Sequence, residues 1–304
     1  MKALAAFTMQ GRASAVLVMA VAAVLFWLFP PFMVVSAAAL ALVTLRRGVA
    51  ESLLLLVLAG GAATGLATLV LGTPWPMLDV LLAGWLPLWL LALVLRATVS
   101  LARTLQVAAA FGLIGVLVCY LLLGDPAAWW NSLLEPLRQE AARLGPTLSA
   151  AERDTLDRML VLLGEWAPFL PGHLVSTILL SGLLALFLGR GWQAALFNPG
   201  GFRTEFHALR LGRPLAGLTL VLLAGALLSG WVPLTNLALP LSVLYTVQGI
   251  ALVHALAFAR GLSPAWLLLF YLLLLPLLSQ LVLALGLADA WLDLRARLRP
   301  VAQR

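Results

Sequence analysis

Long apolar runs separated by short charged gaps organise this chain. The runs fall at about 13–29, 31–45, 52–72, 77–96, 105–123, 167–189, 214–232, 237–259 and 264–287. Most approach the ~20 residues that a helix needs to cross a ~30 Å hydrocarbon core. Inside lipid each backbone N–H and C=O must find a partner within the protein, and a helix supplies those partners within one segment. The runs are continuous Leu, Ala and Val rather than alternating short strands, so they predict helices and not a transmembrane barrel. The expected fold is all-α: a single polytopic transmembrane helical bundle over 1–304 with about eight or nine hydrophobic segments. The first two runs meet at Pro30-Pro31 and form either a tight hairpin or one kinked helix. A proline pair removes two N–H donors from the helical ladder and favours a break.

Polar segments interrupt the pattern in three places. Residues 124–166 form an amphipathic helical insert. Within it Ser149-Ala150-Ala151-Glu152 has capping-box spacing. Leu156, Met159, Leu160 and Leu163 then recur at helical spacing. The insert is expected on the extracytoplasmic side, as a cap, a partner surface or a helical hairpin lying on the membrane. Residues 190–213 are expected to be a cytoplasmic loop carrying an interfacial helix. There Phe202, Phe206 and Leu209 share one side, and Arg203, His207 and Arg210 the adjacent one, with Arg213 following. Residues 288–304 form an Arg-rich C-terminal tail.

Charge then decides topology. Only 10% of the residues are charged and 63% are hydrophobic, far from the roughly 25% charge of soluble domains. The mean hydropathy is +1.07. The net charge of +7 does not point to nucleic acid, because the arginines are scattered at the ends of the apolar runs, where they set orientation and meet anionic headgroups. With the N-terminus inside, Lys2, Arg12, Arg46, Arg47, Arg96, Arg103, Arg190, Arg203, Arg210, Arg213 and Arg260 all fall on the cytoplasmic side. Nine full crossings would then strand Arg295, Arg297, Arg299 and Arg304 outside, so one segment need not be a full crossing. The expected location is a bacterial cytoplasmic (inner) membrane, with the lipid bilayer and anionic headgroups as partners.

Candidate chemistry is sparse. No nucleophile–base pair, P-loop, HExxH motif or metal-ligand spacing is present, so neither an enzyme nor a cofactor or metal site is expected. Cys119 is the single cysteine. Tyr245, Gln248 and His254 lie within one apolar run and are the candidate ligand-binding residues. Tyr245 and His254 are nearly opposite on an ideal helix. Phe202, Arg203, Phe206, His207, Arg210 and Arg213 are the candidate lipid or partner contacts. Gly61 and Gly65 form a GxxxG, and Ala37 and Ala41 a similar small-residue pair, both suited to close helix approach.

The segment from Phe202 to Arg213, the dipeptide Gln248-Gly249, and Gly286-Leu287-Ala288-Asp289 with Asp293 and Arg295 together resemble the YybS-like family of bacterial polytopic membrane proteins. The N-terminal half, with its proline break and Arg47-Gly48 turn, is more distantly similar to the S components of energy-coupling-factor transporters. That likeness implies small-molecule binding within the bundle and docking on a membrane coupling subunit. The functional expectation is a transporter-like protein. The alternative is a membrane scaffold or assembly factor acting through 202–213 and 124–166.

Overall fold

The computed structural model describes residues 1–297, with the side chains of Pro264, Leu274 and Arg297 left aside. Arg299 and Arg304, and the side chain of Arg297, whose placement the charge pattern predicts, lie outside the described residues. The described chain is helical, without strands. Its helices are α1 Lys2–Gln10, α2 Arg12–Leu25, α3 Phe32–Arg47, α4 Val49–Leu71, α5 Trp75–Thr98, α6 Leu101–Leu123, α7 Pro126–Leu144, α8 Ala150–Trp166, α9 Leu170–Phe197, α10 Gly201–His207, α11 Arg213–Ser229, α12 Val232–Ala259, α13 Pro264–Leu269, α14 Leu275–Leu292 and α15 Leu294–Arg297. Among the described residues six helical runs are long and apolar enough to cross a membrane: α4, α5, α6, the run Ala150–Phe197 that contains α8 and α9, α12 and α14. Helices α2 and α11 are apolar but shorter. The expected span boundaries shift accordingly: α9 runs on through 190–197, and the segment read as a tail begins inside α14.

Two compact units emerge. The first comprises Met1–Ala109, Ile178–Ala216 and the chain from Val243 on. Here the Pro30-Pro31 break makes a hairpin. Ser36 Oγ of α3 donates to Met19 O of α2 at 2.6 Å, which sets the two helices antiparallel. Ala37 through Val43 are all buried, and their small side chains let α9 approach closely. A Cβ on Gly189 would lie 2.7 Å from Ala38 O and 2.8 Å from the Ala41 methyl. Gly61 and Gly65 behave differently: nothing lies within 4 Å of either Cβ position, and both residues are exposed on α4.

Arg12, Arg46, Arg47 and Arg96 gather at one end of this unit. Arg12 and Arg47 both reach Glu51, and Arg47 also donates to Met9 O. Arg96 donates to Leu45 O at 2.7 Å, satisfying a carbonyl orphaned where α3 ends at Gly48. Arg46 lies over the Phe197 ring at 4.3 Å. The turns at the opposite end, 26–31 and 72–74, carry no Lys or Arg.

The second unit comprises Ala110–Thr177 and Gly217–Ser242. The capping box forms as expected: Ser149 N donates to Glu152 Oε2 at 2.9 Å and Glu152 N to Ser149 Oγ at 3.4 Å. Trp130 Nε1 donates to Leu163 O at 2.8 Å and ties α7 to α8. Asn236, fully buried, uses both amide protons and its carbonyl oxygen. Its amide donates to Tyr120 Oη and Pro168 O, and its carbonyl accepts from Gly172 N at 3.1 Å. These bonds tie the 3-10 turn Ala167–Phe169 and the first turn of α9 to α12.

Candidate functional site

The site is built around α10 and the connector 208–212, within the first unit. Gly200, with φ of 88°, supplies the left-handed turn that starts α10. Phe202 and Phe206 then fall on one face and pack on Phe187 of α9, with ring centroids 6.0 and 5.6 Å apart. Glu205 accepts along one edge of the Arg190 guanidinium, from Nε at 3.0 Å and from Nη2. Arg190 is 8% exposed, so this bidentate pair holds α10 firmly on α9.

The connector bonds to its flanking helices through Ala208 N, Leu209 N and Gly212 O, and side chains satisfy further groups of its backbone. Gln248 Oε1 accepts from Leu211 N at 2.8 Å, and Gln106 Nε2 donates to Leu211 O at 2.9 Å. Tyr245 Oη donates to Gly212 O at 3.2 Å. Arg295 donates to His207 O and, at 2.6 Å, to Leu209 O. Leu209 and Leu211 are each 1% exposed, so every one of these bonds replaces water that the segment has lost.

Gln248 also donates to Gly286 O at 2.7 Å. Its helix α12 meets α14 there backbone to backbone. A Cβ on Gly286 would collide with Tyr245 O and Gly249 N, and one on Gly249 with Val282 O. Below this crossing lies a buried acid. Asp289 is 2% exposed, Arg295 Nε is 3.2 Å away, and neither carboxylate oxygen makes a hydrogen bond.

His207 and His254 meet with ring centroids 6.3 Å apart. Phe206, Phe258 and Tyr271 surround them, and His254 Nε2 shares a 2.7 Å hydrogen bond with Tyr271 Oη. Arg203 lies over Phe258 at 5.3 Å. Burial holds His207 below the ordinary imidazole range, and the charges of His254, Arg203 and Arg295 add to that. Arg210 pairs with Asp293, which lowers the Asp293 carboxyl. Beside this cluster opens a cavity of about 730 Å³. Thr204, His207, Arg210, Asp293 and Arg295 give it a polar side, and Leu256 and Phe258 an apolar one.

The expected residues therefore separate. Phe202, Arg203, Phe206, His207 and His254 come together, and His207 and Arg210 line the cavity. Tyr245 and Gln248 are fully buried and serve the connector instead, on the other side of α12 from His254. Arg213 stands exposed at the start of α11. Gln106, Glu205, Phe258 and Tyr271 carried no role in the sequence. The one local signal for them is Glu205, the only acid between Arg190 and Arg213. Among the described residues no group of three or more His, Cys, Asp or Glu could hold a metal ion.

The fold thus has the build of a multi-pass helical membrane protein. Its chain matches no protein-family model, no curated protein and no solved structure.

Proposed function

We propose that this is a transporter-like protein of a bacterial cytoplasmic membrane, with its N-terminus and basic end facing the cytoplasm, that binds a small molecule beside α10. The cavity of about 730 Å³ carries this reading. Its polar side suits an anionic or zwitterionic head, and Leu256 and Phe258 suit an apolar portion. The ligand residues of this proposal are thus His207, Arg210 and their neighbours. Tyr245, Gln248 and His254 support them from behind. The orientation rests on the one-ended distribution of arginine in the first unit. Membership of the YybS-like family belongs to the same proposal. The residues behind that resemblance, Gln248-Gly249 and Gly286 to Arg295, form one packed cluster. A coupling subunit, as in S components, would find the open Gly61–Gly65 face of α4.

Native mass spectrometry of the detergent-extracted protein tests the ligand reading. A co-purified small molecule is expected on the wild type and absent from Ala208→Trp, whose indole would project into the cavity and obstruct it. Failure of the wild type to carry or accept any ligand from a broad metabolite panel would refute it.

A scaffold role is favoured by a separate observation: none of α8 is buried, and Met159, Val161 and Leu162 are more than half exposed. Crosslinking in native membranes through α8 or α10 to one specific protein would support that role, and background crosslinks alone would end it.

A further inference from the structure

We infer that the last apolar segment, from α13 through α14, does not cross the bilayer but enters and returns at the basic end of the first unit. The inference is independent of whether the cavity binds a ligand.

Length makes the first point. A straight helix from Pro264 to Leu292 would measure roughly 43 Å at 1.5 Å per residue. Yet both of its ends lie beside the last turns of α12. At the start, Leu262 N donates to Ala257 O at 3.0 Å. At the finish, Arg295 donates to His207 O, and the His207 ring is 5.5 Å from that of Phe258. Ala255, Leu256 and Ala259 share the wall of one cavity with Asp293, Arg295 and Ala296. Two ends that meet the same two turns cannot be 43 Å apart, so the segment folds back.

The fold-back has a local cause. Phe270–Leu274 is a π-turn, Pro276 follows, and Leu278 has the non-helical angles φ −121° and ψ 26°. Proline withholds its N–H and crowds the preceding turn, and π-turns and broken ladders are where helices kink. The arms on either side of Leu278 hold about 14 residues, or ~21 Å each, well short of a ~30 Å core.

Each arm is pinned to α12. Tyr271 on the outgoing arm bonds His254. On the returning arm Gly286 closes against Gly249 and Tyr245 and accepts from Gln248. Irregular backbone at membrane depth persists only where protein covers it or water reaches it, and the Gly249–Gly286 crossing gives the returning arm that cover.

This geometry removes the topological conflict. The earlier apolar segments pair off as α2 with α3, α4 with α5, α6 with α9, and α11 with α12. A final segment that returns brings the C-terminus to the same side as the N-terminus. Arg295 then joins Arg203, Arg210 and Arg260 on one face, as the positive-inside rule requires.

Two measurements test this in the intact protein, on a Cys119→Ala background. The pair Ala255→Cys with Ala296→Cys should give a short-linker thiol crosslink in native membranes, and so should Ala259→Cys with Ala296→Cys. Folding of each variant is checked by its melting temperature. Separately, reporters placed after Arg304 and in the 260–263 loop should report the same side. Absence of both crosslinks in folded protein, or reporters on opposite sides, would make the segment a full span and overturn the inference.

Discussion

The residue that holds most together is Gln248. It joins the connector to α14 by bonding Leu211 N and Gly286 O, both in the interior. Interhelical hydrogen bonds in membranes average only ~0.6 kcal/mol, but leaving two buried backbone groups unpaired costs about 1–3 kcal/mol. Gln248→Leu should therefore lower the unfolding midpoint in detergent, by a loss nearer the second figure. The glycines give a contrast of sign. Gly286→Ala forces a methyl into the α12 backbone and should destabilise by about 2 kcal/mol. Gly65→Ala meets nothing and should be neutral or stabilise by up to ~1 kcal/mol in the same assay. An upward shift for Gly286→Ala would contradict the close helix contact. His207 governs pH response. Its folded pKa is depressed by burial, so the unfolded chain binds the proton first, and stability falls as pH drops below the ordinary imidazole value. Hydrogen-exchange protection across 201–212, referenced to the intrinsic exchange rate at each pH, should fall from pH 7 to pH 5, and His207→Gln should flatten that step. The paired Asp293 acts in the same direction at more acidic pH: its lowered pKa gives stability that is lost as pH falls through the folded value.

At the scale of elements, much of the pattern was readable before any coordinates. The apolar runs became helices, six of the helical runs among the described residues being long and apolar enough to cross a membrane, because continuous Leu, Ala and Val leave the backbone no other way to pair in lipid. The break at Pro30-Pro31 and the Ser149–Glu152 capping box followed from the loss of a donor and the gain of a cap. Polar groups within runs were open to two readings. Tyr245 and Gln248 suited either a ligand site or hydrogen bonds within the bundle, and they satisfy a connector that lies next to them only in the folded chain. Asn236 attracted no notice, since an Asn near a run end is unremarkable until the unpaired Gly172 N and Pro168 O come beside it. Asn236→Leu should therefore loosen the start of α9, raising hydrogen exchange across 167–173 and destabilising by about 2 kcal/mol. Unchanged exchange there would deny Asn236 this part.

At the scale of the whole molecule, the charges sort into two kinds. Arg12, Arg190, Arg210 and Arg295 are spent on acids or carbonyls inside the protein. Arg203 and Arg213 are exposed, and each such residue near an anionic surface contributes roughly 1 kcal/mol of attraction. Replacing both by Gln should reduce co-purified anionic lipid without lowering the melting temperature, whereas Arg190→Gln should lower the melting temperature through the unpaired Glu205. Equal lipid retention in the double variant would remove the headgroup contact. By itself, the sequence determined that the chain is helical, apolar and basic at its run ends, because those properties depend on residues a few positions apart and on the lipid solvent. Only the tertiary structure decided which arginines stay available, which polar groups serve the backbone, and that the last run turns back. Each of those depends on a partner far along the chain, such as Gly249 for Gly286 or Leu209 for Arg295, and no local period records such a partner.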